Sequence, residues 1–288
     1  MPSVNEKHKD RLFKFIFGNP EKREWTLDLY NAVNGSNYTN AEDIEFNTID
    51  DVIYMGMKND VSFIVEFVMN LWEHQSSLNP NLPVRFLLYA SKLYEKHTMS
   101  GNFSRFSRKL QRLPKPKCVC FYNGTEKQPE EVILRLSDSF DGNDGDIELV
   151  VRMLNVNYGH NMELMKGCKV LEEYSYFIEG IRENQKAMDI ESAIDSTLEG
   201  MPDDFTIRKF LLMNRAEVKG MFLTEYDAEK ELANLREEER REGRNEEKER
   251  IAADMLKGGE PLAKIIMYSK LAENTILNLA RNLGIAVV

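Results

Sequence analysis

The feature that most constrains the fold is the apolar run VSFIVEFVMNLW, which lies between Asp60 and Glu73. β-branched and aromatic residues dominate this run, and such residues favour strands over helices. We expect the run to form two antiparallel strands, 60–65 and 70–75, joined by a turn at EFVM. The chain is therefore expected to fold around a β-sheet that contains this hairpin.

Further strand and helix patterns lie on both sides of the hairpin. Strands are predicted in IEFNTIDDVIYMGMKNDVSFIVEF, in KPKCVCFYNGT and in DIELVVRMLNVNY. Helical spacing occurs in the segments 9–35, 83–98, 160–186, 190–200 and 203–223, the first of them broken at GNP. Strands and helices that mix in this way predict an α/β fold, with a small central mixed sheet flanked by helices.

The composition changes towards the C-terminus. We expect a core domain over 1–200 and a helical, highly charged extension over 201–288. Within the extension, the segment 225–250 is almost entirely charged and predicts a solvated helix. The segment 251–288 has two short helical patterns separated by a turn near SKLAEN, a spacing that resembles a helix-turn-helix. Packing or an oligomer contact, such as a homodimer, is the favoured interpretation of this pair, and DNA reading is the alternative.

The net charge of −10 over 288 residues is unevenly distributed. The first 135 residues are nearly neutral, and the remainder carries the acidic excess. Between Lys96 and Lys117 the chain has no acid, and two phenylalanines lie among its cations. The candidate DNA-binding residues of this segment are Arg105, Arg108, Lys109, Arg112, Lys115 and Lys117. The alternative is a solvated surface segment with no partner.

Cysteine usage and hydropathy bear on the compartment. The chain has three cysteines, an odd number that does not suggest a set of disulfides. Neither the spacing of these cysteines nor the positions of the histidines match a zinc site. Cys118 and Cys120 lie on the same face of a predicted strand, so we expect reduced core thiols. The N-terminal residues lack an apolar stretch of signal-peptide length, and no segment reads as a membrane span. We therefore expect a cytoplasmic protein with no membrane partner.

The predicted hairpin brings acidic side chains to one face of the sheet. Pairing about EFVM sets Asp60 opposite Gln75 and Ser62 opposite Glu73, so that Asp60, Glu73 and Gln75 project together and the two acids are diagonal neighbours. Two carboxylates at this spacing could hold a hard divalent cation such as Mg²⁺ or Mn²⁺. The alternative is that both acids face solvent at the ends of their strands. Alternation aims His74 at the opposite face, which predicts a packed histidine rather than a ligand.

The order of an Asp, about a dozen residues, and then Glu-x-Gln at the end of the next strand resembles the motif of the PD-(D/E)xK nuclease superfamily. The segments DRLFKFIFGNPE, EHQSSLNPNLP and PKCVCFYNG are similar to the Rpn family, the recombination-promoting nucleases or putative transposases. The resemblance implies a restriction-endonuclease-like core. It also implies a Mg²⁺-dependent DNA endonuclease that hydrolyses phosphodiester bonds in recombination or transposition.

The resemblance assigns roles to residues of the hairpin. Asp60 and Glu73 match the two metal-binding acids, and Gln75 takes the catalytic position where most of the superfamily has lysine. A neutral amide can orient the attacking water but cannot stabilise negative charge as a lysine does. The competing hypothesis is therefore a catalytically inactive nuclease fold that acts as a DNA-binding or protein-interaction module. For the acid that the superfamily often carries on its first helix, the candidates are Asp10 and Glu24.

Overall fold

The computed structural model of the chain describes residues 11–46, 60–99, 103, 107–142 and 145–285. Two of the predicted candidates, Asp10 and Arg105, lie outside these residues, as does the part of the first predicted strand segment from 47 to 59. Contacts between Cα atoms divide the chain into two compact units, Met1–Tyr226 and Asp227–Val288.

A six-stranded mixed sheet forms the centre of the first unit, which confirms the predicted α/β fold. Its strands are β1 (Ile44–Phe46), β2 (Val61–Val65), β3 (Val68–Gln75), β4 (Lys115–Tyr122), β5 (Glu131–Arg135) and β6 (Val150–Asn155). Their spatial order is β1-β2-β3-β4-β6-β5. β3, β4 and β6 are parallel to one another, whereas the other neighbours are antiparallel. β3 is thus the strand where the antiparallel and parallel parts of the sheet meet.

Helices cover both faces of the sheet in the first unit. They are α1 (Arg11–Phe17), α2 (Arg23–Asn34), α3 (Leu82–Met99), α4 (Met162–Gly167), α5 (Lys169–Asn184), α6 (Ile190–Gly200), α7 (Thr206–Met213) and the start of α8 (Arg215–Lys257). Side chains alternate between the faces along each strand. The face that packs on α3 carries Met69, Leu71, Cys118, Cys120, Tyr122, Val151 and Met153. The face that packs on the other helices carries Val61, Phe63, Val65, Trp72, Val119, Phe121 and Leu154.

The three cysteines behave as predicted. Cys118 and Cys120 lie on the same face of β4, and Cys168 precedes α5; all three are buried, and none of them forms a disulfide. Burial raises the pKa of the Cys118 and Cys168 thiols to about 12. They are therefore core thiols that stay protonated at neutral pH.

The register of the hairpin differs from the prediction. Val65 pairs with Val68, so the turn is the two-residue Glu66–Phe67 rather than EFVM, and Ser62 lies opposite Leu71 instead of Glu73. Glu66 adopts φ +52°, the left-handed conformation that such a short turn requires. The predicted pairing of Asp60 with Gln75 and of Ser62 with Glu73 was thus wrong by two residues. An even shift keeps every side chain on its predicted face.

The segment 201–226, which the sequence analysis placed in the C-terminal extension, contributes to the core of the first unit. α7 and the start of α8 bury Ile207, Leu211, Val218 and Met221 in the same cluster as α5 and α6. The compact unit therefore ends at Tyr226, beyond the residue 200 expected from composition.

The second unit is helical over its described residues. It holds the C-terminal part of α8, then α9 (Leu262–Ser269) and α10 (Glu273–Leu283). α8 begins earlier and ends later than the charged helix predicted over 225–250. Among the described residues, no helix combines the length and the apolar character that crossing a membrane would require.

Candidate active site

Asp60 lies immediately before β2 and is held against the end of β3. Its carboxylate Oδ2 accepts a hydrogen bond from the backbone N–H of His74 at 2.7 Å. Because Val61 pairs with Trp72, this bond continues the hairpin and places Asp60 level with Glu73. The structure thus brings the two predicted acids together, as direct rather than diagonal neighbours.

Glu73 projects from β3 towards α3 and is 1% exposed. Its Oε1 accepts two hydrogen bonds, from Arg85 Nη2 at 2.6 Å and from Gln75 Nε2 at 2.7 Å. A buried carboxylate is stable only when cations or donors compensate it, and Arg85 and Gln75 do so here. Glu73 is therefore covered by α3, contrary to the alternative of strand-end acids in water, whereas Asp60 is half-buried.

Arg85 and Tyr89 are members of the site that sequence reasoning missed. Arg85 also donates to the Tyr89 hydroxyl at 3.0 Å. Burial raises the pKa of the Tyr89 hydroxyl, and the charges of Glu73 and Asp60 raise it further. Burial alone would lower the pKa of the Arg85 guanidinium, but Glu73, Tyr89 and Asp60 together hold it above its ordinary value. Both acids thus act on the same two side chains, so the four groups form one electrostatic cluster.

A sequence signal for this cluster does exist. The helical spacing of 83–98 puts Tyr89 on the same side of the helix as Phe86 and Leu93, the side that the structure buries. Residues four apart lie on the same face of a helix, so Arg85 must point in the same direction as Tyr89. This helix comes immediately after the hairpin. A cation on its inward face therefore indicates that an acid is buried on the sheet below it. Only the packing of α3 identifies that acid as Glu73.

Gln75 ends β3 and is 1% exposed. Its Nε2 points to Glu73, which leaves its Oε1 buried and without a hydrogen-bond partner among the described residues. Its backbone carbonyl accepts the N–H of Asn123 at 2.9 Å, which fixes it against the end of β4. An unpaired buried amide oxygen costs free energy, so a donor or a cation at that oxygen would stabilise the site.

The donor set fits a hard divalent cation. Asp60 and Glu73 supply carboxylate oxygens and Gln75 an amide oxygen, and all three are ligand types that Mg²⁺ and Mn²⁺ accept. In the described part of the chain no group of three or more His, Cys, Asp or Glu is arranged to hold a metal. A cation here would therefore rest on two carboxylates and water, which is common for Mg²⁺. It would also compete with Arg85 for Glu73.

The described candidates of the cationic segment are all exposed: Arg108, Lys109, Arg112, Lys115 and Lys117. Lys115 pairs with Val68 and Lys117 with Asn70, at the beginning of β3. Glu73 and Gln75 lie at its other end, and strands rise about 3.3 Å per residue, so Lys115 is roughly 16 Å from the level of Glu73. The structure therefore does not bring these two lysines to the candidate site.

The remaining candidates lie apart from the two acids. Glu24 is exposed in the first turn of α2, with Lys22 Nζ at 3.9 Å. His74 is buried on the opposite face of the sheet, as predicted. Its Nε2 lies 3.1 Å from the Tyr174 hydroxyl, and its ring packs on Phe13. His74 thus belongs to the core.

Comparison with protein-family profiles, with curated proteins and with solved structures finds no significant match to the chain. The chemistry of the site therefore rests on the residues described above.

Proposed function

We propose that the chain is a divalent-metal-dependent DNA endonuclease that hydrolyses phosphodiester bonds, with a role in recombination or transposition. The observation that carries the proposal is the meeting of Asp60 and Glu73 beside Gln75, at the end of a central strand. This is the order and side-chain direction that the PD-(D/E)xK motif requires. In the same proposal, the sheet and helices of the first unit form a restriction-endonuclease-like core.

The residues of the site have separable roles. Asp60 and Glu73 would hold the cation, which when bound activates a water and neutralises charge on the phosphate. Gln75 would orient the attacking water through its buried Oε1. Its amide has no positive charge, so a cation has to come from elsewhere.

Arg85 supplies a positive charge that Gln75 lacks. Its guanidinium contacts the same carboxylate oxygen as Gln75 Nε2. A guanidinium stays protonated at any physiological pH and binds phosphate oxygens through two parallel N–H donors. For cleavage, Arg85 would exchange Glu73 for the phosphate, which frees the carboxylate for the cation.

Plasmid cleavage tests the proposal. Purified protein is incubated with supercoiled plasmid in Mg²⁺, in Mn²⁺ and in EDTA. We expect nicking and linearisation with the metal ions only, and a loss of at least about 100-fold in rate for Asp60→Asn, because losing a metal ligand removes most of the transition-state stabilisation. Glu163→Gln, which changes an exposed acid on α4, is the matched control and should cleave at the wild-type rate. Metal-independent cleavage, or equal rates for Asp60→Asn and wild type, would contradict the site.

The competing function is a catalytically inactive module that binds DNA or protein. The observation that favours it is that Glu73 is already compensated by Arg85 and Gln75, as in a structural ion pair. An inactive module binds no Mn²⁺ at these residues. Titration calorimetry of Mn²⁺ into wild type and Asp60→Asn separates the two functions, since only a nuclease site shows binding that the substitution removes.

A further inference from the structure

The end of the second unit forms a helix-turn-helix. α9 ends at Ser269 and α10 begins at Glu273, so three residues connect the helices, a length typical of this motif. Lys270 adopts φ +57°, and its N–H donates to the Ile266 carbonyl at 2.9 Å. The Leu271 N–H then donates to Ser269 Oγ at 3.3 Å. These bonds close the turn and fix the direction in which α10 leaves it.

A small core holds the two helices and the end of α8 together. Its buried members are Ala252, Leu256, Ile265, Ile276 and Ala280. α10 contributes Ile276 and Ala280, four residues apart, and therefore uses one face for packing. Two short helices and the end of α8 around one core are what a DNA-reading module needs to present its last helix rigidly.

The opposite face of α10 carries hydrogen-bonding side chains. Asn274, Asn278 and Arg281 are exposed and follow one another at spacings of four and three, which aligns them in one stripe. Arg281 Nη1 donates to Asn278 Oδ1 at 3.1 Å, so the two side chains already lie together. Asparagine pairs with the adenine edge and arginine with the guanine edge in the major groove. The stripe thus has the chemistry of base reading.

The local charge also suits a polyanion. Residues 257–285 carry four Lys+Arg and two Asp+Glu, a net charge of +2, in a chain whose net charge is −10. The only acid of α10 is Glu273, in its first turn. A locally positive surface on an acidic chain confines an attraction for phosphates to this region.

We propose that α10 binds in the major groove of double-stranded DNA, with Asn274, Asn278 and Arg281 on base edges and Lys270 near the phosphates. This binding gives the chain a sequence preference. It goes beyond cleavage, because a chain that bound DNA through α10 and cut nothing would still satisfy it. The proposal takes up the DNA-reading alternative that the sequence analysis left open beside a packing or oligomer contact.

Selection from a random duplex library tests this proposal. The full chain is used in EDTA, so that cleavage does not interfere, and the enriched duplex is labelled for fluorescence anisotropy. A lost bidentate base contact weakens binding by about tenfold or more, so we expect that effect for Asn278→Ala and for Arg281→Ala. Arg250→Ala removes another exposed arginine of the same unit, paired with Glu247 in α8, and should leave affinity unchanged. All three substitutions are on the surface, and circular dichroism verifies that each variant is folded.

Three results would overturn the proposal. The first is a library that yields no enriched duplex. The second is an enriched duplex that both α10 variants bind as wild type does. The third is light scattering in which wild type is a dimer and Arg281→Ala a monomer of unchanged DNA affinity, which would make this face a contact between two copies. Asp60→Asn should bind the enriched duplex normally, so failure of the nuclease proposal is distinguishable from failure of this one.

Discussion

The ion pair between Glu73 and Arg85 allows a quantitative test of how the site is built. The two side chains are 2% and 17% exposed, and the atoms Oε1 and Nη2 are 2.6 Å apart. A surface pair contributes about 0–1 kcal/mol, whereas removing one partner of a buried pair costs about 3–5 kcal/mol because the other charge is left in the protein interior. We therefore expect Arg85→Met to lower the free energy of unfolding by about 3–5 kcal/mol.

The double variant Glu73→Met/Arg85→Met removes both charges. It no longer leaves a charge at position 73 without its partner, and its main losses are the hydrogen bonds from Gln75 to Glu73 and from Arg85 to Tyr89, about 1 kcal/mol each. The double variant should thus be more stable than Arg85→Met alone, by about 2 kcal/mol or more. That inversion, in which a second deletion restores stability, is the result that distinguishes a buried pair from a surface pair.

Urea unfolding followed by tryptophan fluorescence provides the measurement. The chain has two tryptophans, Trp25 and Trp72, and both belong to the core of the first unit. The signal therefore reports the unit that holds the site, even if the second unit unfolds separately. A cost below about 1 kcal/mol for Arg85→Met, or a double variant as unstable as the sum of the two single ones, would refute the reasoning.

Three more predictions concern other parts of the first unit. The cysteines of the native protein should not react with a thiol reagent at pH 8, because burial raises the pKa of Cys118 and Cys168 to about 12. All three cysteines should react in denaturant. Fast reaction of the native protein would contradict their burial. Hydrogen bonds from Arg215 and Lys219 lower the pKa of Asp195 in the folded chain, so its stabilising effect is present above the unfolded value of about 3.9 and is lost as pH falls through the folded value. Melting curves should accordingly show Asp195→Asn less stable than wild type at pH 7, with a gap that closes below about pH 4; a constant gap would exclude the ion pairs as its cause. A methyl group at Gly124 would overlap the Ser76 carbonyl and the Tyr122 ring. Gly124→Ala should therefore lower the free energy of unfolding in urea by about 1–3 kcal/mol or more. Gly220→Ala, in an open position of α8, is the control and should not lower it.

Alternation along the strands made the faces of the hairpin predictable. Alternation puts Glu73 and Gln75 on one face and Val61, Phe63 and Trp72 on the other, and the structure has both sets in these places. A side-chain period of two depends only on the backbone being extended, so no tertiary information is needed. Alternation also survives an error of two residues in register, which is why Asp60, Glu73 and Gln75 share a face although their pairing was wrong.

The register could not be predicted because the turn residues gave no signal. Two-residue hairpin turns need positive φ, for which Gly, Asn and Asp are the usual residues. Here Glu66 takes φ +52° and Phe67 follows it. The register that the structure adopts joins Val65 to Val68 through this turn, so tertiary packing outweighs the local preference of glutamate.

The counter-charge of the site depends on an element distant in sequence. Arg85 reaches Glu73 only because α3 returns across the sheet, and the sequence does not identify which acid an inward cation meets. The exposed lysines of β4 show the opposite case: Lys115 and Lys117 are conspicuous in sequence, yet parallel pairing with β3 places them at the far end of the strand from Glu73. The cluster of charge along the chain therefore lies away from the candidate site, whereas a single cation on the inward face of α3 belongs to it.

The origin of Arg85 in α3 has a consequence for any attempt to move the site to another protein. The segment 60–75 contains both acids and the amide, and the sequence alone suggests that it holds every residue that the site needs. Grafted alone into a new sheet, it would bury a bare carboxylate under whatever helix the host supplies. The smallest piece that carries its own compensation is the segment 60–99, with hairpin and helix together. Chimeras joined after residue 75 should misfold, whereas chimeras joined after Met99 keep the acid and its partner in one inherited block.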